Sequence, residues 1–274
     1  MKTNYAYINE FGFLDDLIDC INESTNDVAV RMYDYNNKLR ETSTKAFFEG
    51  VNEDVFMEKE KEGVLATIGK GIIALIEKIK EAITKLTEAI VGKSKEAESE
   101  AEIVNRIIEK HPELKNKVCE GIQKEWFTYK DVATYEKDVI GLINMLERNA
   151  IDHRTFKDKM QAAADKFEAS AKPIIAIGTT IGALVGLVGT IGLKSQKAKG
   201  ALKSLGKTTE KFKQDFDKNK NTQNANVFSS AFNALGQAVG LVSKECEHRA
   251  KSQGFLCNLF KVFNKKHGGT QPTP

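Results

Sequence analysis

An eleven-residue apolar repeat between Val64 and Val91 constrains the fold of this chain more than any other feature of the sequence. Isoleucine and leucine recur at steps of four, three, four, four, three and four residues: Ile68, Ile72, Leu75, Ile79, Ile83, Leu86 and Ile90. Eleven residues in three turns give about 3.67 residues per turn, so the stripe stays on one face of a nearly straight α-helix. Three uses of this stripe remain open. It packs within its own chain, it serves self-association through these seven residues, or it lies against a membrane interface.

The rest of the composition also favours helices. Proline occurs only at positions 112, 173, 272 and 274, so long helices can run without interruption. No stretch shows the alternation of polar and apolar residues that is typical of a half-buried strand. We therefore predict an all-α protein, a bundle of long amphipathic helices.

Changes in composition divide the chain into five regions. These are an N-terminal helical segment (1–49), an amphipathic helical region (50–172), a Gly-rich apolar helix (173–193), a basic helical region (194–267) and a flexible tail (268–274). A charged linker is expected at 50–63, and the acidic stretch 94–102 is expected to be a helix start or a linker. A helix boundary is expected at His111, because the residue before a proline is disfavoured in the α region. Helices are predicted over Val132–Asn149 and Asp152–Ala171, with Asp152 as the N-cap of the second.

The segment Ile174–Leu193 contains twenty residues without a charge. A helix of this length spans about 30 Å, the thickness of the hydrocarbon core of a bilayer. Gly178, Gly182 and Gly186 are four residues apart, as are Gly236 and Gly240 of a later apolar segment, and this small-xxx-small spacing lets helix backbones approach closely. These five glycines and the nearby Gly189 are the predicted helix-packing residues. The segment is predicted to be a helix that inserts into a membrane or, alternatively, a buried helix of the bundle.

The C-terminal part of the chain is strongly basic. From Lys194 onward there are 15 Lys and Arg residues against 5 Asp and Glu residues, whereas the whole chain has a net charge of only +3. An anionic partner, either non-specifically bound nucleic acid or a lipid surface, would meet the lysines that follow the apolar segment: Lys194, Lys197, Lys199, Lys203 and Lys207. The alternative is charge complementarity between the two parts of the chain or between copies of it.

The sequence contains no catalytic or ligand-binding motif with the spacing that known chemistry requires. The four cysteines are far apart in sequence and form no CxxC pair, which indicates free thiols in a reducing compartment. The N-terminus carries acids where a secretory signal would need an apolar stretch. We therefore expect a non-enzymatic protein without a cofactor, metal or small-molecule substrate, and without a signal peptide.

Two sequence stretches resemble known proteins. KAFFEG (45–50), followed by EGVLATIGKGIIALIEKIKEAI (62–83), resembles internal or head-associated structural proteins of large tailed bacteriophages. In that group a hydrophobic residue, any residue, Glu and a small residue mark a maturation cleavage. The resemblance implies a scissile bond between Glu49 and Gly50 and a removable propeptide over residues 1–49. Phe at the first position of the motif departs from the commoner aliphatic residue.

These observations lead to three expectations about function. The first is a virion component that self-associates through helices and contacts membrane or DNA during assembly or genome delivery, located in the virion or in the host cytoplasm or membrane. The second is a helical membrane-perturbing effector or pore-forming toxin, which matches helical cytolysins in architecture only. The third is a soluble helical scaffold.

Overall fold

The computed structural model describes residues 12–49, 53–219 and 225–267. Within these ranges the chain forms six α-helices, a short 3₁₀ helix at Pro112–Asn116 and one two-stranded antiparallel sheet. The elements are α1 (Gly12–Glu49), α2 (Glu53–Lys110), β1 (Trp126–Thr128), α3 (Val132–Glu147), α4 (His153–Ala169), β2 (Lys172–Ile175), α5 (Ile181–Asn219) and α6 (Ala225–His267). The predicted all-α class is confirmed. The small sheet was not predicted, since its strands are too short to show an alternating pattern.

Helix α2 runs without a break from Glu53 to Lys110 and is about 87 Å long. The linker predicted at 50–63 is wrong from Glu53 onward, and residues 50–52 lie outside the described part of the chain. The break predicted at 94–102 is also wrong. Ala97, Ala101 and Val104 continue the buried face at helical spacing, and the acidic residues between them lie on the other faces. The helix ends at the predicted boundary before Pro112.

Helices α2 and α6 form the centre of the bundle. Helix α1 packs against both of them on one side, and α5 packs against both on the other. The α3–α4 hairpin covers α6, and α3 also contacts α5. Because α1 and α5 lie across the central pair from each other, their outward faces point in different directions.

The core consists of two clusters along this bundle. The larger one joins α1 and the first part of α2 to the α3–α4 hairpin, the second half of α5 and much of α6. The smaller one joins the second half of α2 to the start of α5, the end of α6 and Ile175 of β2. The apolar stretches 227–242 and 254–263 belong to one helix, α6, which contributes to both clusters.

The structure corrects the prediction of one helix over Ile174–Leu193. Lys172–Ile175 form strand β2, which pairs with β1, and helix α5 begins only at Ile181. Between them Gly178 adopts a positive φ of 88°, a conformation that L side chains rarely adopt and that makes a turn there. Helix α5 then continues past Leu193 into the basic region without a boundary.

The α3–α4 hairpin agrees with its prediction. Helices cover Val132–Glu147 and His153–Ala169, and the backbone N–H of Thr155 donates a 2.7 Å hydrogen bond to Oδ1 of Asp152. This bond satisfies one of the N–H groups at the start of α4, and it lowers the pKa of the Asp152 carboxyl. Between α2 and β1 the chain forms the 3₁₀ helix and then irregular structure.

Candidate interaction surface

The predicted self-association stripe lies inside the chain's own core. Six of its seven residues are at most 1% exposed: Ile68, Ile72, Leu75, Ile79, Leu86 and Ile90. The seventh, Ile83, is partly buried against the same core. In this fold α1, α5 and α6 cover the stripe, so a second copy could reach its side chains only if the bundle opened, except at Ile79 and Ile83, which line a groove between α2 and α5.

A groove beside the stripe is accessible, between α2 and α5. Its floor is formed by Ile76, Ile79 and Ile83, and it encloses about 310 Å³. Gly206 of α5 faces this floor, where an added Cβ would lie 2.9 Å from Cγ2 of Ile79. A side chain at Gly206 would force the two helices apart or fill the groove. We call this surface the basic groove because of its rim.

The rim of the basic groove carries three lysines and one carboxylate. Nζ of Lys80 lies 2.7 Å from Oε1 of Glu210, so these two charges neutralise each other. Lys203 and Lys207 are exposed and form no ion pair with any residue that the structure describes. The groove therefore combines an apolar floor with two uncompensated positive charges.

The five predicted anion-contact lysines separate into two groups. Lys203 and Lys207 line the groove, and Lys199 lies one helical turn before Lys203 on the same side of α5. Ser204 donates a hydrogen bond to Glu136 of α3, so this side of α5 faces α3. Lys197 lies two turns before Ser204 on the same side, and Lys194 lies one turn before Lys197. The sequence could not separate these groups because lysine spacing alone does not show which neighbour each side of α5 faces.

The six predicted helix-packing glycines have different environments. An added Cβ at Gly182 would lie 2.7 Å from Cγ of Lys115, and one at Gly236 would lie 2.9 Å from Cγ2 of Thr25. Added Cβ atoms at Gly186, Gly189 and Gly240 would meet nothing within 4 Å, and Gly178 lies in the turn before α5. Close approach to a neighbouring element in this chain is thus a property of two of these glycines.

The outward face of α1 carries a second exposed surface, which we call the acidic ridge. Its members are Asp19, Glu23, Val30 and Tyr33, all exposed, with Val30 at 53% and Tyr33 at 67%. They follow one another at helical spacing, with Asn26 between Glu23 and Val30, and lie opposite the buried face of α1. Sequence reasoning missed this ridge because it considered only apolar residues that could enter the core. The exposure of Val30 and Tyr33 follows only from the fold, so the sequence offered no signal for this ridge.

A buried polar network connects α6 to the end of β1. Glu245 and Arg249 form an ion pair one turn apart, both buried. Glu245 accepts hydrogen bonds from Oγ1 of Thr128 at 2.7 Å and from the backbone N–H of Tyr129 at 2.9 Å. Arg249 donates to the backbone carbonyl of Tyr129 at 3.0 Å. The network fixes the sheet against the central helix.

Burial changes the proton affinity of groups around this network. It lowers the pKa of the Arg249 guanidinium, against which the neighbouring Glu245 acts in the opposite direction. It also raises the pKa of the adjacent Cys246 thiol to about 12. A thiol that stays protonated at neutral pH is a poor nucleophile, so Cys246 acts as a small packing residue.

The predicted processing site is at the end of α1. Glu49 is the last residue of that helix, and Gly50 lies outside the described residues. The segment implied to be removable contributes Leu17, Ile21 and Val28 to the larger core cluster. Its removal would uncover apolar surface on α2 and α6.

The length and composition of the helices and the arrangement of possible metal ligands concern the predicted partners. Among the residues that the structure describes, no helix has both the length and the apolar character required to cross a membrane. Across the same residues, no group of three or more His, Cys, Asp and Glu side chains is arranged to hold a metal ion. No protein-family model, no curated protein and no solved structure matches this chain.

Proposed function

We propose that this protein is a non-enzymatic structural protein whose copies associate through the outer surfaces of their helices. The resemblance of residues 45–50 and 62–83 to phage head-associated proteins makes a virion the proposed setting. Contact with DNA or a membrane during assembly or genome delivery would use the basic face of α5. The observation that carries the proposal is the opposite charge of two surfaces on one bundle.

The two surfaces carry opposite charges over comparable lengths of helix. Residues 15–27 of α1 include five carboxylates and no Lys or Arg, whereas residues 194–207 of α5 include five lysines and no Asp or Glu. Both helices pack on the α2–α6 pair, from different sides. Complementary potentials of this kind steer association and select partners, and their effect weakens as salt is added.

Sedimentation velocity of the full-length protein tests this proposal. Between micromolar and hundred-micromolar protein at low salt, we expect the mean sedimentation coefficient to rise, and we expect added salt to reverse the rise. A coefficient that stays at the monomer value over the whole range would contradict the proposal and leave a monomeric helical scaffold.

Mass spectrometry of purified virus particles tests the proposed setting. The expected result is the presence of peptides from α1 to α6 in the particle, because the proposed association needs the carboxylates of α1. Peptides that span Glu49–Gly50 report on cleavage, since the implied propeptide would leave a chain that begins at Gly50. Particles without the protein would contradict a virion role but not self-association.

A second candidate function, membrane contact, is favoured by a different observation. At one end of the bundle Val118 is 50% exposed and Ile177 is 63% exposed. The chain segments that carry them are paired, because the backbone N–H of Cys119 donates to the carbonyl of Thr179 at 3.0 Å and that of Ile181 donates to the carbonyl of Lys117 at 3.0 Å. Exposed apolar side chains beside a lysine suit the interface of an anionic membrane, as a membrane-perturbing effector would need.

Flotation with vesicles that contain anionic lipid tests this candidate. We expect the protein to float with the vesicles, and the Val118→Ser/Ile177→Ser variant to remain in the dense fraction. The matched control is Leu193→Ser, which removes an exposed apolar side chain further along α5. Equal flotation of all three proteins would contradict membrane contact through this end of the bundle.

A further inference from the structure

The acidic ridge and the basic groove share more than opposite charge. Each surface contains both charged residues and apolar residues. In the ridge, Asp19 and Glu23 precede Val30 and Tyr33 along α1. In the groove, the lysine side of α5 lies against the apolar positions of α2.

The groove also has a direction. Gly192 of α5 lies near Ser94 of α2, Gly206 lies near Ile79 and Ile83, and Phe216 lies near Gly69, so the two helices run antiparallel. Lys199 and Lys203 therefore lie towards the Ile83 end of the groove. Ile76 lies towards the other end, where Ile73, one turn before it on α2, is 47% exposed.

The spacing of the charges on the two surfaces matches. Asp19 and Glu23 are four residues apart, as are Lys199 and Lys203, so each pair spans about 6 Å of helix. The whole ridge, from Asp19 to Tyr33, rises about 21 Å, which is longer than the rise of about 16 Å from Lys199 to Glu210. An α1 helix that runs in the direction of α5, with its carboxylates at the lysine end, would therefore place Tyr33 towards the Ile76 and Ile73 end.

We propose that the acidic ridge of one copy docks in the basic groove of a second copy. This inference rests on the proposed self-association and adds its surfaces, its partner and its direction. The contact is heterologous, because each copy contributes a different surface and keeps its other surface unoccupied. Such contacts continue from copy to copy and produce rings or filaments, whereas a two-fold contact would stop at a dimer.

Charge reversal on each surface tests the docking. The ridge variant is Asp19→Lys/Glu23→Lys, and the groove variant is Lys203→Glu/Lys207→Glu. All four side chains are exposed, so the bundle should stay folded, and circular dichroism checks this. In sedimentation velocity each variant is expected to weaken association by about tenfold or more, because like charges then face each other at the contact.

The combined variant, with all four substitutions in one chain, is decisive. If the ridge docks in the groove, the exchange of signs restores attraction, and we expect the association constant to return to within about threefold of the starting protein. A contact between two ridges or two grooves would stay repulsive in the combined variant. Failure of this restoration would overturn the proposed docking, even where the unmodified protein does associate.

The matched control is Lys194→Glu/Lys197→Glu, which makes the same change of charge on the other side of α5. It is expected to leave association within about twofold, and a loss equal to that of the groove variant would overturn the assignment to the groove. All proteins are treated with nuclease before the run. Disappearance of association after that treatment would show that nucleic acid joins the copies, which also overturns the docking. A monomeric unmodified protein under every condition would instead contradict the proposed function itself.

Discussion

The two central helices of the bundle, α2 and α6, are buried in different ways. Helix α2 buries one regular stripe of isoleucine and leucine and leaves its other faces in contact with solvent. Helix α6 is covered on most sides, and its buried residues include Glu245 and Arg249 as well as apolar ones. Helix α2 therefore keeps a surface that a partner can reach, whereas α6 lies in the interior of the bundle.

This difference separates two kinds of stabilisation. Along α2 the folded state is stabilised by the removal of apolar surface from water, at roughly 25 cal/mol per Å². Along α6 part of the buried surface is ionic, and such groups contribute only while every partner is in place. Substitutions of buried residues on α6 should consequently lower the free energy of unfolding more per residue than substitutions on α2. Substitutions on the outer faces of α2 should hardly change it.

The largest expected effect is that of Arg249→Met. The substitution leaves the Glu245 carboxylate buried without its cation and removes the hydrogen bond to the carbonyl of Tyr129. We expect a loss of about 3–5 kcal/mol in the free energy of unfolding, measured by urea titration.

The double variant Glu245→Gln/Arg249→Met is its control. The amide oxygen can still accept from Thr128 or Tyr129, and no unpaired charge stays buried. We expect the double variant to be more stable than Arg249→Met alone. The opposite order would mean that the ion pair does not govern the stability of this region.

Two neighbouring isoleucines on α2 give the next largest contrast. Ile72→Ala should cost about 2–5 kcal/mol, since its side chain is fully buried and a cavity would remain. Ile73→Ala should change the free energy of unfolding by about 0.5 kcal/mol or less, because its side chain is exposed. Urea titration measures both, and equal losses would contradict the assignment of faces on α2.

Two glycines on α6 provide a smaller contrast. Alanine at Gly240 meets open space and should stabilise the helix by about 0.5–1 kcal/mol. Alanine at Gly236 would press on Thr25 and Ile21 of α1, which should cost about 1–3 kcal/mol before that helix gain is added. Thermal unfolding should therefore rank Gly240→Ala above the unmodified protein and Gly236→Ala below Gly240→Ala. Identical melting temperatures for the two variants would show that α1 does not approach α6 at Gly236.

The smallest effect concerns Glu147, a half-buried carboxyl on α3. Burial raises the pKa of Glu147 in the folded protein, although Lys211 acts in the opposite direction. The native state therefore holds this proton more tightly than the unfolded chain does, and the resulting stability is lost as the pH rises through the folded pKa. Glu147→Gln should raise stability more at pH 7 than at pH 4 in urea titrations at both values. A larger gain at pH 4 would contradict the sign of the shift.

Local pattern was sufficient for some of these features and insufficient for others. The repeat from Ile68 to Ile90 predicted α2, and the N-cap Asp152 predicted the start of α4, because both depend on residues close together in sequence. The β2 strand and the turn at Gly178 were missed. They arise where residues 172–180 meet residues 117–128, and no local signal reports such a pairing.

The candidate surfaces show the same limit. Sequence spacing identified the lysines of α5 and the isoleucines of α2, but it could not show that Lys203 and Ile83 line one groove. The acidic ridge could not be predicted from the sequence for a related reason. A heptad-like spacing of charged and apolar residues is noticed as a surface only when the core face of the helix is known.

Cysteine cross-linking between copies tests most directly the claim that association uses outer faces rather than the buried stripe. A Tyr33→Cys chain is mixed with an Ile73→Cys chain, both in a Cys20→Ser/Cys119→Ser background, and oxidised at low salt. The account predicts a disulfide-linked heterodimer in the mixture. It also predicts that Ile72→Cys, one position away but buried, yields none in the same mixture. Cross-linking through Ile72→Cys but not through Ile73→Cys would contradict the account and return self-association to the apolar stripe.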